Sequence, residues 1–165
     1  MLTIRMARGA VLLSVAALAT ALACGGSLAT TPTGTVPQTI TVSFPGGTLV
    51  SEIAYTTAQR DSGLMNRTTL GANIGMVFAY PYTQQPEFEA YWMQNTPIAL
   101  SIAFLDSTKK VINIEDMQPN TTTLHFATGR FLYAIEANLG WFASHNVAAG
   151  TTATFSLPAG VVPTQ

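Results

Sequence analysis

Five consecutive residues, Trp92-Met93-Gln94-Asn95-Thr96, set an indole, a thioether and amide donors and acceptors side by side. Such a run can wall a ligand site: Trp92 and Met93 offer apolar contact, and the Asn95 carboxamide offers two donors and an acceptor. The strand-like IALSIAFLD that follows carries Ile98, Leu100, Ile102 and Phe104 on one face. Its other face has only Ala99, Ser101 and Ala103, small enough to leave a shallow crevice. On this reading Arg60, Trp92, Met93, Asn95 and Trp141 line a site for a small molecule, glycan or peptide. On the structural reading Trp92 plugs the core and Asn95 bonds the backbone to shape the turn before Pro97. Strand alternation does not decide between them, since it sends Trp92 and Gln94 one way and Met93 and Asn95 the other.

Other chemistries have less material. Glu52 and Glu136 sit inside apolar strand sequence, where burial can raise a carboxyl pKa and make an acid catalyst; alternatively each pairs with an arginine, Arg60 or Arg67, as a structural salt bridge. A Ser or Thr nucleophile would need a base, but His125 and His145 stand in no recognisable catalytic neighbourhood and no GxSxG-type elbow occurs. Two histidines 20 residues apart without cysteine pairs match no zinc-ligand spacing. Met65, Met76, Met93 and Met117 have thioethers suited to Cu(I), although methionines in so apolar a chain are more often core filler. Phosphate loops and dinucleotide fingerprints are absent.

The chain of 165 residues is 48% hydrophobic and only 9% charged, enough for one domain with a real core. It has no Lys/Arg-rich run, so nucleic acid is not an expected partner. Arg5 and Arg8 precede an apolar run from Ala10 to Leu22, the layout of a secretory signal over residues 1–23 and too short to span a bilayer. The context Ala21-Leu22-Ala23-Cys24-Gly25-Gly26 resembles the lipobox of bacterial lipoproteins, which makes Cys24, the chain's single cysteine, a lipidation site and a membrane tether rather than a nucleophile. Processing there would remove two of the seven basic residues and none of the eight acids, taking the net charge from −1 to near −3. Gly25 lacks the aspartate associated with inner-membrane retention, so an extracytoplasmic domain on the outer membrane is expected. Residues 24–37, small and polar, form a flexible linker with a reach of about 20 Å.

The elements that must position these groups are mostly strands. QTITVSF and TLVSEIAYT flank the turn PGG; Thr57 caps a short helix through Asp61 that Gly63 stops; NIGMVFAY returns to strand. PYTQQPEFE reads as loop, IALSIAFLD, VINIEDM and RFLYAIEAN as strands, LGWFASHNV as a short helix and TTATFSL as a last strand. On the VINIEDM strand Asn113 and Glu115 share a face. Seven strands and two helical turns predict a mainly β domain over residues 38–157, a small antiparallel barrel or sandwich, with residues 158–165 as a fraying tail.

Taken together, EIAYTTAQRDSGLMNRTTLG, GMVFAY, YWMQNTPIALSIAFLD, VINIEDMQP and YAIEANLGWFASHNV resemble the bacterial and archaeal domain-of-unknown-function family 192 in order and spacing. The resemblance implies a small, mostly antiparallel β-structure, no established reaction and frequent export. It places family polar positions at Glu52, Arg60, Arg67, Asn95, Asp106 and Glu136. Three positions depart: Gln94 stands where lysine is usual, and Ser101 and Thr151 where aspartate is usual. The expected function is a non-catalytic binding module of the cell envelope with no cofactor and no metal. A Glu/Arg enzyme and a Met/Trp copper carrier are the alternatives.

Overall fold

The computed structural model describes residues 38–165; the signal segment, Cys24 and the linker lie outside them. Six strands form one sheet: β1 (Thr39–Phe44), β2 (Gly47–Ala54), β3 (Ile74–Gln84), β4 (Leu100–Leu105), β5 (Val111–Met117) and β6 (Phe131–Asn138). Their spatial order is β1-β2-β3-β6-β4-β5. All neighbours are antiparallel except β2 and β3, which run parallel, so the sheet is mostly antiparallel, as expected, with one parallel pair. A parallel pair needs a long crossover, and residues 55–73 supply it around helix α1 (Thr57–Ser62). The cap of α1 is Thr56, one residue earlier than its sequence suggests: Thr56 Oγ1 accepts from the Gln59 amide while the Gln59 side chain accepts from the Thr56 amide.

β4 lies inside the sheet and all six of its residues are buried. One face packs Leu100, Ile102 and Phe104 against Met76, Phe78, Tyr91, Met93 and Met117. The opposite face packs Ala103 and Leu105 against Val77, Ile135, Phe142 and Phe155, under helix α2 (Trp141–Ser144). A strand covered on both sides reads as nearly continuous hydrophobic sequence, as IALSIAFLD does. Covering both faces also moves the expected crevice: Ser101 and Ala103 lie on the α2 side, across the sheet from Tyr91 and Met93.

β3 continues through Pro81 to Gln84, where loop was expected. Proline has no N–H to give the ladder, and the pairing of β3 with β6 shifts register between Ala79 and Gln84. The expected seventh strand, TTATFSL, makes only single bridges, Thr152 to Lys110 and Thr154 to Ser43. It is a strap that hydrogen-bonds to both sheet edges, through Val111 N to Thr151 O (2.8 Å) on one side and Ser43 N to Thr154 O (3.0 Å) on the other. The sheet itself is not closed into a barrel, and the sandwich-like alternative describes it better. The strap satisfies edge groups that would otherwise invite pairing with another chain.

The terminal segment does not fray. Val161 is buried beside Ile53 and Ala79, the Thr164 amide donates to Tyr55 O (2.9 Å), and Arg60 Nη2 donates to Thr164 O (2.7 Å). At the other end, the β1–β2 turn packs directly on the end of α2: a Cβ added at Gly46 would lie 1.8 Å from His145 O. Gly46→Ala should therefore destabilise the domain by roughly 1–3 kcal/mol, read as a lower urea midpoint with an unchanged slope. Gly129→Ala, whose Cβ would meet only an Ile112 methyl at 3.6 Å, should leave the midpoint nearly where it is.

Candidate functional site

Register across the sheet lines up three glutamates. Glu52 on β2 pairs with Met76 on β3, Met76 with Glu136 on β6, Glu136 with Ile102 on β4, and Ile102 with Glu115 on β5. Partners in register point to the same face, so the three carboxyl groups stand in one row, at every second strand, roughly 10 Å apart. The row crosses the apolar face formed by Met76, Met93, Ile102 and Met117.

Each glutamate meets that face differently. Glu52 accepts both guanidinium arms of Arg67, at 2.5 and 2.6 Å, and the Arg67 pKa is raised chiefly by this hydrogen bonding. Glu115 meets His125 Nδ1 at 2.8 Å. Glu136, only 5% exposed, has neither: among the described residues no cation pairs with it and no group donates a hydrogen bond to it. Burial pushes its pKa from 4.5 up to about 8, so the carboxyl is largely protonated at neutral pH. The sequence offered an arginine to both Glu52 and Glu136; the structure gives Arg67 to Glu52 and no arginine to Glu136.

A niche of about 60 Å³ opens on Glu136, lined also by Asp61, Gly63, Tyr91, Trp92, Met93 and Thr96. Main-chain bonds hold its wall. Tyr91 and His125 exchange amide bonds of 2.9 and 2.8 Å, Met93 N donates to Thr121 O (3.0 Å), and Asn120 N donates to Thr96 O (3.0 Å). Asn95 turns the chain by adopting φ 57°, and its carbonyl accepts from Asn66, itself at φ 62°. Asparagine tolerates this left-handed region better than most residues. Asn95 thus shapes the turn by its backbone and does not line the niche. Trp92 is no core plug: it is 46% exposed at the rim, while Met93, at 1%, is buried behind it. Behind the wall, the Tyr91 hydroxyl lies 2.7 Å from that of Tyr80, which donates to Glu89 (3.0 Å). Burial raises the pKa of both tyrosines, keeping them neutral.

The other predicted lining residues lie elsewhere. Arg60 donates to Tyr55 O and Ala79 O as well as Thr164 O, and its guanidinium lies 4.7 Å over the Tyr80 ring, so it clamps the chain terminus. Trp141 is buried on the opposite face, stacked on His145 at 4.1 Å, with Nε1 donating to Asn73. Asp106 closes the β4–β5 turn; burial opposes its charge, but hydrogen bonds from Thr108 and Lys110 outweigh that and lower its pKa. Arg67 and Glu52 border a second hollow of about 360 Å³ that shares Ser62 and Gly63 with the niche. A hollow of about 520 Å³ borders the expected crevice on the α2 side, where Ser101 Oγ donates to Asp116 (2.5 Å) and accepts from the Gly140 amide (2.8 Å). Met76, Met93 and Met117 pack together in the core, and the described residues hold no group of three or more His, Cys, Asp or Glu arranged for a metal. Tyr91, Asp61 and the Glu115–His125 pair escaped the sequence reading, since only sheet register and loop packing bring them near Glu136. Chemically, the niche offers a carboxyl that can lend a proton or, once ionised, accept a cation.

Residues 40–155 match the sequence profile of the family described as DUF192, Uncharacterized ACR. No curated protein matches the chain. A crystal structure of a protein of unknown function from Novosphingobium aromaticivorans is similar at 32% identity and a TM-score of 0.65, over 74% of this chain and 89% of that one. Another, from Sinorhizobium meliloti and provisionally titled a transcription regulator, shares 23% identity and a TM-score of 0.67 over 72% of this chain and 95% of that one. At that identity the second likeness speaks to fold alone.

The Glu136 environment has a measurable sign. A carboxyl whose folded pKa is raised stabilises the fold fully below its unfolded value near 4.5 and loses that contribution as pH rises toward about 8. Urea unfolding of the wild type and Glu136→Gln between pH 5.5 and 7.5 should show the wild type weakening relative to the variant by about 1.4 kcal/mol per pH unit. A flat difference would mean that Glu136 is ionised in the folded state.

Proposed function

The chain belongs to the DUF192 family, and from that premise we propose that it is a non-catalytic binding module, held outside the cytoplasm by lipid on Cys24, that takes its ligand in the niche between Trp92 and Glu136. One observation carries the binding reading: a half-exposed indole stands at the mouth of a hollow whose floor is a buried carboxyl with no partner among the described residues. An exposed tryptophan costs solubility and an unpartnered buried carboxyl costs stability, and a bound ligand offsets both. Trp92 supplies contact area, Glu136 supplies orientation, and the main-chain bonds of residues 91–96 preorganise the wall. The anchoring reading rests on the signal layout before Ala23-Cys24-Gly25 and on the small, polar linker after it.

Both parts are open to direct measurement. In the host, the wild type should incorporate labelled palmitate and sediment with outer membranes, whereas Cys24→Ala should do neither; absence of label on the wild type would overturn the anchoring. Native mass spectrometry of the purified chain should find a co-purified ligand on the wild type and a several-fold lower occupancy on Trp92→Ala. As a surface change, Trp92→Ala should shift stability by no more than about 0.5 kcal/mol. Equal ligand on both proteins would place the site elsewhere.

A further inference from the structure

We propose that the group received by the niche is a primary ammonium, such as the end of a lysine side chain, seated against Glu136 and under the face of Trp92. This rests on the niche being the binding site. The enclosed space of about 60 Å³ suits the end of a chain, such as a charged terminus, and a bulkier group would have to remain in the open mouth. The charge of that terminus follows from the lining. Two carboxyl groups face the space, Glu136 from β6 and Asp61 from α1, and no basic residue does. An anion would meet repulsion there, while a cation finds a counter-charge below and an aromatic ring beside it. Thr96 also lines the space, and an ammonium brings three donors that can seek further oxygen acceptors there.

The protein's own nearby cations are already engaged. Arg67 holds Glu52 with both arms, and Arg60 donates to three backbone carbonyls. His125 is held by Glu115, two strands from Glu136 along the register row. The remaining titratable groups packed around Glu136 are Asp61, Tyr91 and, behind Tyr91, Tyr80 and Glu89, with Arg60 over the Tyr80 ring. Burial keeps the tyrosines neutral across the working range. Docking an ammonium therefore requires Glu136 to ionise, and its proton leaves to solvent as the cation arrives. With Glu136 titrating at about 8, nearly one proton is released per ligand at pH 7, and affinity rises about tenfold per pH unit until it levels off above 8.

Isothermal titration of the full chain, carried with its anchor in non-ionic detergent, tests this with Nα-acetyl-lysine amide as the probe. Repeating the titration in two buffers of different ionisation enthalpy counts the protons. The expected results are binding that strengthens about tenfold from pH 6 to pH 7, release of close to one proton at pH 7, and at least tenfold weaker binding of the Nε-acetylated probe and of tetramethylammonium. Glu136→Gln should lose at least tenfold in affinity and all of the pH dependence, and Trp92→Ala should lose about two- to fivefold. Should Glu136→Gln fail to fold, the acetylated probe and the proton count on the wild type decide the matter. No lysine-amide binding up to pH 8.5, or equal binding by Glu136→Gln, overturns the ammonium assignment. If a neutral ligand is nonetheless found on the wild type and at several-fold lower occupancy on Trp92→Ala, the niche stands as the site and only the ligand class falls; if Trp92→Ala keeps every ligand at wild-type occupancy, both fall.

Discussion

The costliest arrangement in this domain is a row of three carboxyl groups laid across the apolar face of one sheet. In-register pairing from β2 to β5 leaves Glu52, Glu136 and Glu115 no choice of face. A buried carboxylate is strongly unfavourable unless a cation, a hydrogen bond or a proton relieves it. Arg67 relieves Glu52, a proton relieves Glu136, and Glu115, whose side chain is 35% exposed, keeps water as well as His125 beside it. The loops that cover this face are arranged to deliver those answers. The crossover that makes β2 and β3 parallel carries Arg67, and the segment after β5 carries His125 while bracing the wall that holds Trp92.

Glu136 differs from its neighbours in position as well as chemistry. It is on β6, between β3 and β4, where no sheet edge lets a long basic side chain reach in from solvent. Among the described residues a small niche opens toward it, lined also by Trp92 and Asp61. The same placement that denies Glu136 an internal partner leaves it available to an external one. On the other face the physics is ordinary: Trp141, Phe142, Phe44 and Phe155 fill the space under α2 and the strap, and Ser101 ties Asp116 and the Gly140 amide together.

The strap and the terminal segment hold the two edges of the sheet and its loops together. Residues 151–154 hydrogen-bond to both of its edges, and the last residues are fastened by Arg60 and Tyr55. Arg60, a family position that looked suited to a ligand, is used up in that fastening. Asp106 is similarly used up in its turn.

Local pattern carried a good deal of this protein. Alternation of apolar with polar residues in TITVSF and GTLVSEIA, and of large with small ones in LSIAFL, marked strands, because successive strand side chains point to opposite faces, and the capped helix ending at Gly63 was legible from its own chemistry within one residue. The polar residues of consequence could be named, since charged groups inside apolar strands are conspicuous in any sequence. Their partners could not: Arg67 and Glu52 are 15 residues apart, Trp92 and Glu136 are 44 apart, and nothing local distinguishes Arg60 from Arg67 as the one that reaches Glu52. Nor could alternation alone say that Ser101 faces α2 while Trp92 borders the other side, or that TTATFSL is a strap. Those outcomes depend on strand order and register, which are settled by hydrogen bonds between segments distant in the chain. Residue types set what each group can do; the sheet, by choosing its face and its neighbours, decided that only Glu136 would be left with a proton and an opening.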